Sequence, residues 1–96
     1  MTGMKILTGE QLAEFLAQEP QWSLAGGMIV REWEFSTFPE AIAFVDRIAV
    51  LAEARDHHPD IDIRYKRVRL ALVTHAANGI TTRDTEFARS VRALQV

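Results

Sequence analysis

Three histidines lie close together in this sequence, at positions 57, 58 and 75. Imidazole ordinarily titrates near neutral pH, so a histidine can act there as an acid, a base or a metal ligand. The chain contains no cysteine, which excludes disulfide bridges, cysteine-ligated metals and thiol nucleophiles. His57, His58 and His75 are therefore the first candidates for proton or metal chemistry near neutral pH.

Each histidine also has a purely structural explanation. His57 and His58 follow a predicted long helix, whose C-terminal end favours a protonated imidazole by up to about 1 kcal/mol, and Pro59 prevents that helix from continuing. His75 is predicted at the end of a strand, before a loop at Asn78-Gly79. If an antiparallel sheet brings the two segments together, three imidazoles converge, and two of them can serve as an acid and a base.

A metal site is the competing use of clustered histidines. Zinc sites often use two histidines three or four residues apart on a helix, whereas His57 and His58 are adjacent and make a poor chelating pair. Asp56, Asp60 and Asp62 are more simply explained as solvated loop carboxylates. We therefore expect no bound metal.

Asp84 has two compatible interpretations. The run Thr81-Thr82-Arg83-Asp84 matches the Thr-x-x-Asp pattern that caps a helix N-terminus. The same position is electropositive and keeps a carboxylate ionised, which suits a functional role as well.

Composition limits the classes of function. The chain has 96 residues and a net charge of −2, which rules out the strongly basic field of a dedicated nucleic-acid binder. Its length predicts a single domain over residues 1–96. The basic stretch Arg64–Arg69 is explained by a charged strand surface. No run approaches the roughly 20 apolar residues of a membrane span, and Met1–Lys5 lacks a signal-peptide core, so we expect a cytoplasmic protein.

The first half of the chain predicts a helix and a hairpin. Thr8–Gln11 has the spacing of a capping box, and Pro20 ends the helix that follows. Gly26-Gly27 is typical of a tight hairpin turn, and residues 28–35 alternate with the period of two of a half-buried strand.

The second half repeats this order. A long helix begins at a second capping box, Thr37–Glu40, with a proline in its first turn. Strands are predicted over 61–65 and 67–74, and the last helix begins around Thr81–Asp84. The order α-β-β-α-β-β-α predicts an α+β fold, in which three helices cover one face of a four-stranded antiparallel sheet.

The residues around the histidines form an ordered set with defined spacings. The set comprises Glu53-x-x-x-His57-His58-Pro59, Tyr65, Thr74-His75, Gly79-Ile80-Thr81 and Asp84, accompanied by Trp22, Trp33-Glu34-Phe35, Phe38, Ala41, Phe44, Val45 and Leu51-Ala52. Together they resemble the pterin-4a-carbinolamine dehydratases, from about Leu7 onward. One departure is Asn78, where the family commonly has glycine. Asparagine tolerates left-handed backbone better than most residues, so we expect the turn to survive.

The resemblance implies a reaction as well as the α+β fold. Members of this family remove water from 4a-hydroxytetrahydropterin and yield quinonoid dihydropterin, which serves tetrahydropterin recycling and needs no metal or organic cofactor. By resemblance, His57 and His75 act as acid and base at the 4a-hydroxyl, while His58 binds and orients the pterin and shares the proton work. The further substrate-binding or orienting residues that the resemblance implies are Glu53, Pro59 and Asp84.

The resemblance also implies partners. The family is typically a dimer or a dimer of dimers, so we expect a homodimer or homotetramer, with strand 28–35 as a pairing edge and the long helix as a packing face. The expected ligand is a small-molecule pterin, and neither nucleic acid nor membrane is expected. Two alternatives are a non-catalytic dimerisation module of the same fold and a pterin-related role in molybdopterin metabolism.

Overall fold

The computed structural model of the chain describes residues 5–94. The predicted domain limits, residues 1 and 96, and nearly all of the N-terminal stretch from Met1 to Lys5 lie outside this range. The elements are α1 (Gly9–Gln18), β1 (Ser23–Ala25), β2 (Met28–Glu34), α2 (Phe38–Arg55), β3 (Asp60–Arg64), β4 (Arg67–Leu72) and α3 (Thr82–Arg92). Their order confirms the predicted α+β fold. None of the helices within these residues is long and apolar enough to cross a membrane.

Threonine side chains begin the first two helices. The Thr8 hydroxyl accepts a hydrogen bond from the Gln11 N–H at 3.1 Å, and the Gln11 side chain accepts one from the Thr8 N–H at 2.9 Å, so the first capping box is confirmed. At α2, Thr37 accepts from the Glu40 N–H at 3.2 Å. The Glu40 carboxylate reaches one residue further, to the Ser36 N–H, so the second box is only half formed.

The four strands form one antiparallel sheet in the order β1-β2-β4-β3. In the centre, Ile29 of β2 pairs with Leu72 of β4, and Trp33 pairs with Val68. The prediction that strand 28–35 is a pairing edge is therefore wrong, because β1 and β4 already occupy both sides of β2. The edges of the sheet are β1 and β3.

The turns account for the other differences from the sequence prediction. Gly26 and Gly27 have φ angles of 59° and 78°, so the glycine hairpin turn is confirmed. The β3–β4 turn lies at Tyr65-Lys66, with Tyr65 at a φ of 55°, so the strand predicted over 61–65 begins and ends one residue earlier, at Asp60–Arg64. Strand 67–74 is two residues too long in the prediction, because the ladder ends at Leu72.

After β4 the chain turns back on itself. Thr74 forms an isolated bridge with Gly79, and residues His75–Ala77 form a short 3-10 turn. The prediction of His75 as a strand-end residue is therefore wrong, since it begins this turn. Asn78 has a φ of 58°, the left-handed conformation expected of it.

All three helices contribute to one core on one face of the sheet. On that face the side chains of β2 and β4 are buried, and the helices bury their apolar stripes against them. The buried cluster comprises Phe15, Trp22, Ile29, Trp33, Ala41, Phe44, Ile48, Ala52, Val68, Leu70, Leu72, Ile80, Phe87, Ala88 and Val91. The opposite face carries charged side chains at Glu32, Glu34, Asp62, Arg64, Arg67 and Arg69. Burial of the apolar stripes, at roughly 25 cal/mol per Å² of apolar surface, is the main term that holds the layers together.

Candidate functional site

The segments that carry the histidines meet at one end of the sheet. Asp60 of β3 pairs with Ala71 of β4 in antiparallel register. The residues just before Asp60 therefore run alongside those just after Ala71, which brings the two adjacent histidines towards Thr74 and His75. The sequence alone did not establish that these two segments approach each other.

His57 leaves α2 through a tight helix end. Asp56 is left-handed with a φ of 49°. Its N–H donates to the Glu53 carbonyl at 3.3 Å, and the His57 N–H donates to the Ala52 carbonyl at 3.0 Å. These are the two bonds of a Schellman motif. The turn directs the His57 ring into the protein, where the residue is 7% exposed.

The His57 ring is held by Asp84. Nε2 of His57 lies 2.6 Å from Oδ1 of Asp84, which is 0% exposed. A carboxylate accepts hydrogen bonds, so Nε2 is the donor, and Nδ1 is the nitrogen that can accept a proton. The edge of the Phe87 ring closes one side of the imidazole, with the centroids 6.1 Å apart.

The second oxygen of Asp84 accepts two hydrogen bonds. Oδ2 accepts from the Thr74 hydroxyl at 2.8 Å and from the Thr81 N–H at 2.9 Å. Because Thr74 gives its proton to the carboxylate, the Thr81 hydroxyl donates to Thr74 across 2.8 Å. The prediction that Asp84 caps α3 is confirmed, and the same carboxylate orients His57. Such a fully satisfied buried network fixes its members rigidly.

His58 points elsewhere. Its Nε2 lies 2.7 Å from Oε2 of Glu53, and both side chains are largely exposed. Glu53 belongs to the last turn of α2, so the contact is local. Pro59, half-buried, follows and leads into β3. The structure therefore separates the two adjacent histidines, one inward and one outward.

His75 stands beside a cleft of about 390 Å³. Its ring is exposed and has no hydrogen-bonding partner among residues 5–94. The cleft is lined by Gly26, Gly27, Met28, Asp60, Val73, His75, Asn78 and Gly79. It therefore opens between the β1–β2 turn and the 3-10 turn, at the end of the sheet where Thr74 contacts Asp84. A second cleft, of about 370 Å³, lies on the charged face and is lined by no histidine.

Two residues of the site have no role in the sequence prediction. Thr74 continues the alternation of buried residues along β4, and a hydroxyl at such a position signals a buried hydrogen bond. Arg83 donates to the Asp56 carbonyl at 2.5 Å and lies 3.5 Å from the Arg55 carbonyl. No sequence signal identifies the contacts of Arg83, because they join residues far apart in the chain.

The described part of the chain holds no group of three His, Cys, Asp or Glu side chains that could bind a metal ion. The two His–carboxylate contacts are separate pairs. What the arrangement can do is move protons, because His57 is held by a buried carboxylate and His75 is exposed beside a cleft.

Comparison with known proteins gives a consistent result. A family model described as Pterin 4 alpha carbinolamine dehydratase matches residues 5–94. Relatives named "Putative pterin-4-alpha-carbinolamine dehydratase" include one from Chloroflexus aurantiacus, 54% identical over 88 residues, with 92% of this chain and 95% of the relative covered. Another, from Acidobacterium capsulatum, is 53% identical over 91 residues, with 95% and 99% covered.

The solved structures agree. A transcriptional coactivator/pterin dehydratase from Brucella melitensis superposes with a TM-score of 0.90 and 33% identity, over 96% of this chain and all of that one. A pterin dehydratase-like protein described as a RuBisCO assembly factor in the alpha-carboxysome, 24% identical with a TM-score of 0.63 over 76% of this chain and 84% of that one, shares the fold. On the match over residues 5–94 and the identity to these relatives, the chain belongs to the pterin-4a-carbinolamine dehydratase family.

Proposed function

We propose that this protein dehydrates 4a-hydroxytetrahydropterin to quinonoid dihydropterin and water, in the recycling of tetrahydropterin. Membership of the family supports pterin-4a-carbinolamine dehydratase activity in general. The observation that carries the specific proposal is the buried His57–Asp84 pair, at 2.6 Å, to which Thr74, the residue before the exposed His75, also bonds.

The reaction moves two protons. The C4a–O bond breaks, its electron pair leaves with the oxygen, and one proton must reach that oxygen to release water. A second proton must leave the neighbouring ring nitrogen, whose electron pair forms the new C=N bond. Imidazole suits both transfers near neutral pH. We assign these transfers to His57 and His75.

Asp84 supports this assignment electrostatically. Its carboxylate accepts from Nε2 of His57, which fixes the ring and leaves Nδ1 as the nitrogen that exchanges protons. A buried negative charge at this distance also stabilises the imidazolium that forms when His57 takes a proton. The Thr74 and Thr81 donors hold the carboxylate in place while this happens.

The cleft beside His75 is the proposed place for the pterin ring. Its volume of about 390 Å³ lies within the range of small-molecule sites, roughly 300–1,000 Å³. The exposed His58–Glu53 pair offers a polar surface that orients the substrate, and Pro59 stiffens the segment between that pair and the cleft.

The test is the decay of the carbinolamine absorbance. Added protein speeds the decay, and His57→Ala and His75→Ala each slow it by more than about tenfold, given the usual size of acid–base contributions. Glu32→Gln, on the charged face of the sheet, is the matched control and keeps the wild-type rate. Wild-type rates in both histidine variants would contradict the proposal.

A second function, as a binding module, is suggested by the Brucella melitensis protein, which is described as both a transcriptional coactivator and a pterin dehydratase. The dehydratase is favoured because an imidazole held by a buried carboxylate suits proton transfer, whereas a binding module would use the pair only to stabilise the fold. Recovery of a stoichiometric protein partner, together with no dehydratase activity, reverses this preference. A pterin-related role in molybdopterin metabolism is the other alternative, and activity on the carbinolamine separates it from the leading proposal.

The proposal includes a homodimer or homotetramer and a cytoplasmic location, the latter on the sequence pattern alone. The long helix as a packing face between copies also comes from the sequence pattern, and Val50 of α2, 71% exposed, is accessible for such a contact. Light scattering coupled to size exclusion measures the assembly. A monomer at micromolar concentration contradicts this part.

A further inference from the structure

Arg83 connects the beginning of α3 to the end of α2. It is the residue before Asp84, and its Nη2 donates to the backbone carbonyl of Asp56 at 2.5 Å. The same nitrogen lies 3.5 Å from the carbonyl of Arg55. The side chain is thus directed at the backbone immediately before His57.

The Arg55 carbonyl is one that the end of α2 leaves without an intrahelical partner, and the Asp56 carbonyl lies one residue beyond the helix. The last four carbonyls of an α-helix have no intrahelical donor. The Schellman bonds from the Asp56 and His57 N–H groups satisfy the carbonyls of Glu53 and Ala52. Arg83 supplies a donor for the carbonyls of Arg55 and Asp56, and its positive charge lies at the negative end of the α2 dipole.

Two consecutive residues of α3 therefore hold two consecutive residues after α2. Arg83 binds the backbone of Asp56, and Asp84 binds the ring of His57. Asp56 is left-handed, a conformation that aspartate tolerates better than most residues, and Arg83 adds a contact to this exit turn from outside the helix. A shift of the Asp56 carbonyl displaces the peptide that carries His57.

We propose that Arg83 is a positioning residue for His57. Its guanidinium fixes the Asp56–His57 peptide, so that Nε2 of His57 meets Asp84 and Nδ1 keeps one direction. The kinetic part of this proposal rests on the proposed function, and the structural part does not.

The test compares Arg83→Ala, Arg83→Lys and the control Arg89→Ala. Arg89 is the same residue type on the same helix, but it bonds to Gln18 and stacks on Phe15, away from the histidines. Nitrogen-15 correlation spectra of the imidazoles report which ring nitrogen of His57 carries the proton. Thermal unfolding shows which variants are folded.

In the wild type and in Arg89→Ala, we expect a single His57 signal set with the proton on Nε2. In Arg83→Ala, we expect that signal set to broaden or shift to a mixture of tautomers, while the signals of His58 keep their positions. Lysine keeps the charge and can donate from its ammonium group but lacks the planar guanidinium fork, so Arg83→Lys restores the His57 signals in part. For dehydration, kcat in Arg83→Ala falls about ten- to a hundredfold, with KM changed less than about threefold, as expected for a misplaced catalytic group.

Unchanged His57 signals in a folded Arg83→Ala protein would overturn the proposal, even if its stability fell. If Arg83→Ala does not fold, Arg83→Lys decides, because wild-type His57 signals and wild-type kcat in that variant show that the two-carbonyl contact is dispensable. If the wild type has no dehydratase activity, the proposed function fails, and the spectra still decide whether Arg83 positions His57.

Discussion

His57 and His58 are neighbours in the sequence, and each contacts a carboxylate at almost the same distance. Nε2 of His57 lies 2.6 Å from Asp84, and Nε2 of His58 lies 2.7 Å from Glu53. The side chains of the first pair are 8% and 0% exposed, whereas those of the second are 58% and 79% exposed. Distance alone therefore does not distinguish the two contacts, but burial does.

The difference teaches what a short contact is worth. In the exposed pair, the contact between the charges replaces contacts with water and is weakened by the high dielectric of the solvent. Such pairs contribute roughly 0–1 kcal/mol to the free energy of unfolding. In the buried pair, removal of either group leaves the other buried with neither a partner nor water, which costs about 3–5 kcal/mol in the free energy of unfolding. The buried carboxylate also joins three elements, because its donors come from the end of α2, the end of β4 and the beginning of α3.

The largest expected effect follows from breaking the buried pair. Asp84→Asn keeps the shape but places an amide where donors converge, since Thr74, Thr81 and His57 all point at the carboxylate. We expect the free energy of unfolding to fall by about 3–5 kcal/mol and dehydration to slow more than about tenfold. Urea denaturation and the carbinolamine assay measure the two effects. A stability equal to that of Glu53→Gln would show that the buried pair is no stronger than the exposed one.

The next effect tests the support of that carboxylate. Thr74→Val has nearly the same shape but removes the donor to Asp84 and the acceptor for Thr81. We expect a loss of about 1–3 kcal/mol in the free energy of unfolding. Thr74→Ser keeps the hydroxyl and is the matched control. Equal losses in the two variants would mean that packing, and not the hydrogen bonds, accounts for the effect.

A smaller effect is expected at the exposed pair. Glu53→Gln removes the charge opposite His58, and we expect a change below about 1 kcal/mol in the free energy of unfolding. Because exposed charges are screened within about 3 Å at 1 M salt, the difference from wild type shrinks as salt is added. The loss in Asp84→Asn persists in salt. A salt-independent loss in Glu53→Gln would contradict the assignment of this pair to the solvent-exposed class.

The smallest effect is expected beside His75. Asn78 is left-handed with a φ of 58°, so Asn78→Gly changes the free energy of unfolding by less than about 1 kcal/mol. Asn78→Val is the contrast, since a branched side chain there costs roughly 1–2 kcal/mol. Equal stability of the two variants, in thermal or urea unfolding, would show that the turn relaxes out of this conformation.

Local signals account for what the sequence predicted correctly. The capping box at Thr8 and the cap at Asp84 depend on groups three residues apart, and the Gly26-Gly27 turn depends on adjacent residues, so a short window contains all of the interacting atoms. The strand order, in contrast, depends on pairing between residues far apart in the chain. The sequence shows that β2 alternates, but nothing in its residues states that β4 will pair with it and make it a central strand.

The sequence predicts which residues belong to the candidate site, but it does not predict the geometry of the site. The spacing of histidines and Asp84 identifies the set by resemblance, but the contact between His57 and Asp84 spans 27 positions and requires the finished sheet. Nothing near His58 in the sequence distinguishes it from His57, because both follow the same helix. Adjacent side chains of an extended segment point to opposite sides, and the left-handed turn at Asp56 precedes the segment in which one ring faces inward and the other outward.

The two tryptophans of the chain have a practical consequence. Trp22 and Trp33 meet edge to face at 6.0 Å in the core, and both indole N–H groups are buried without an acceptor among the described residues. Trp33 pairs with Val68, four residues along β2 from the Ile29–Leu72 pair nearest the histidines, a separation of roughly 13 Å along a strand. Intrinsic fluorescence will therefore be blue-shifted in the native state and will follow unfolding of the core. It gives a label-free probe that registers loss of the fold and is insensitive to proton exchange at the imidazoles.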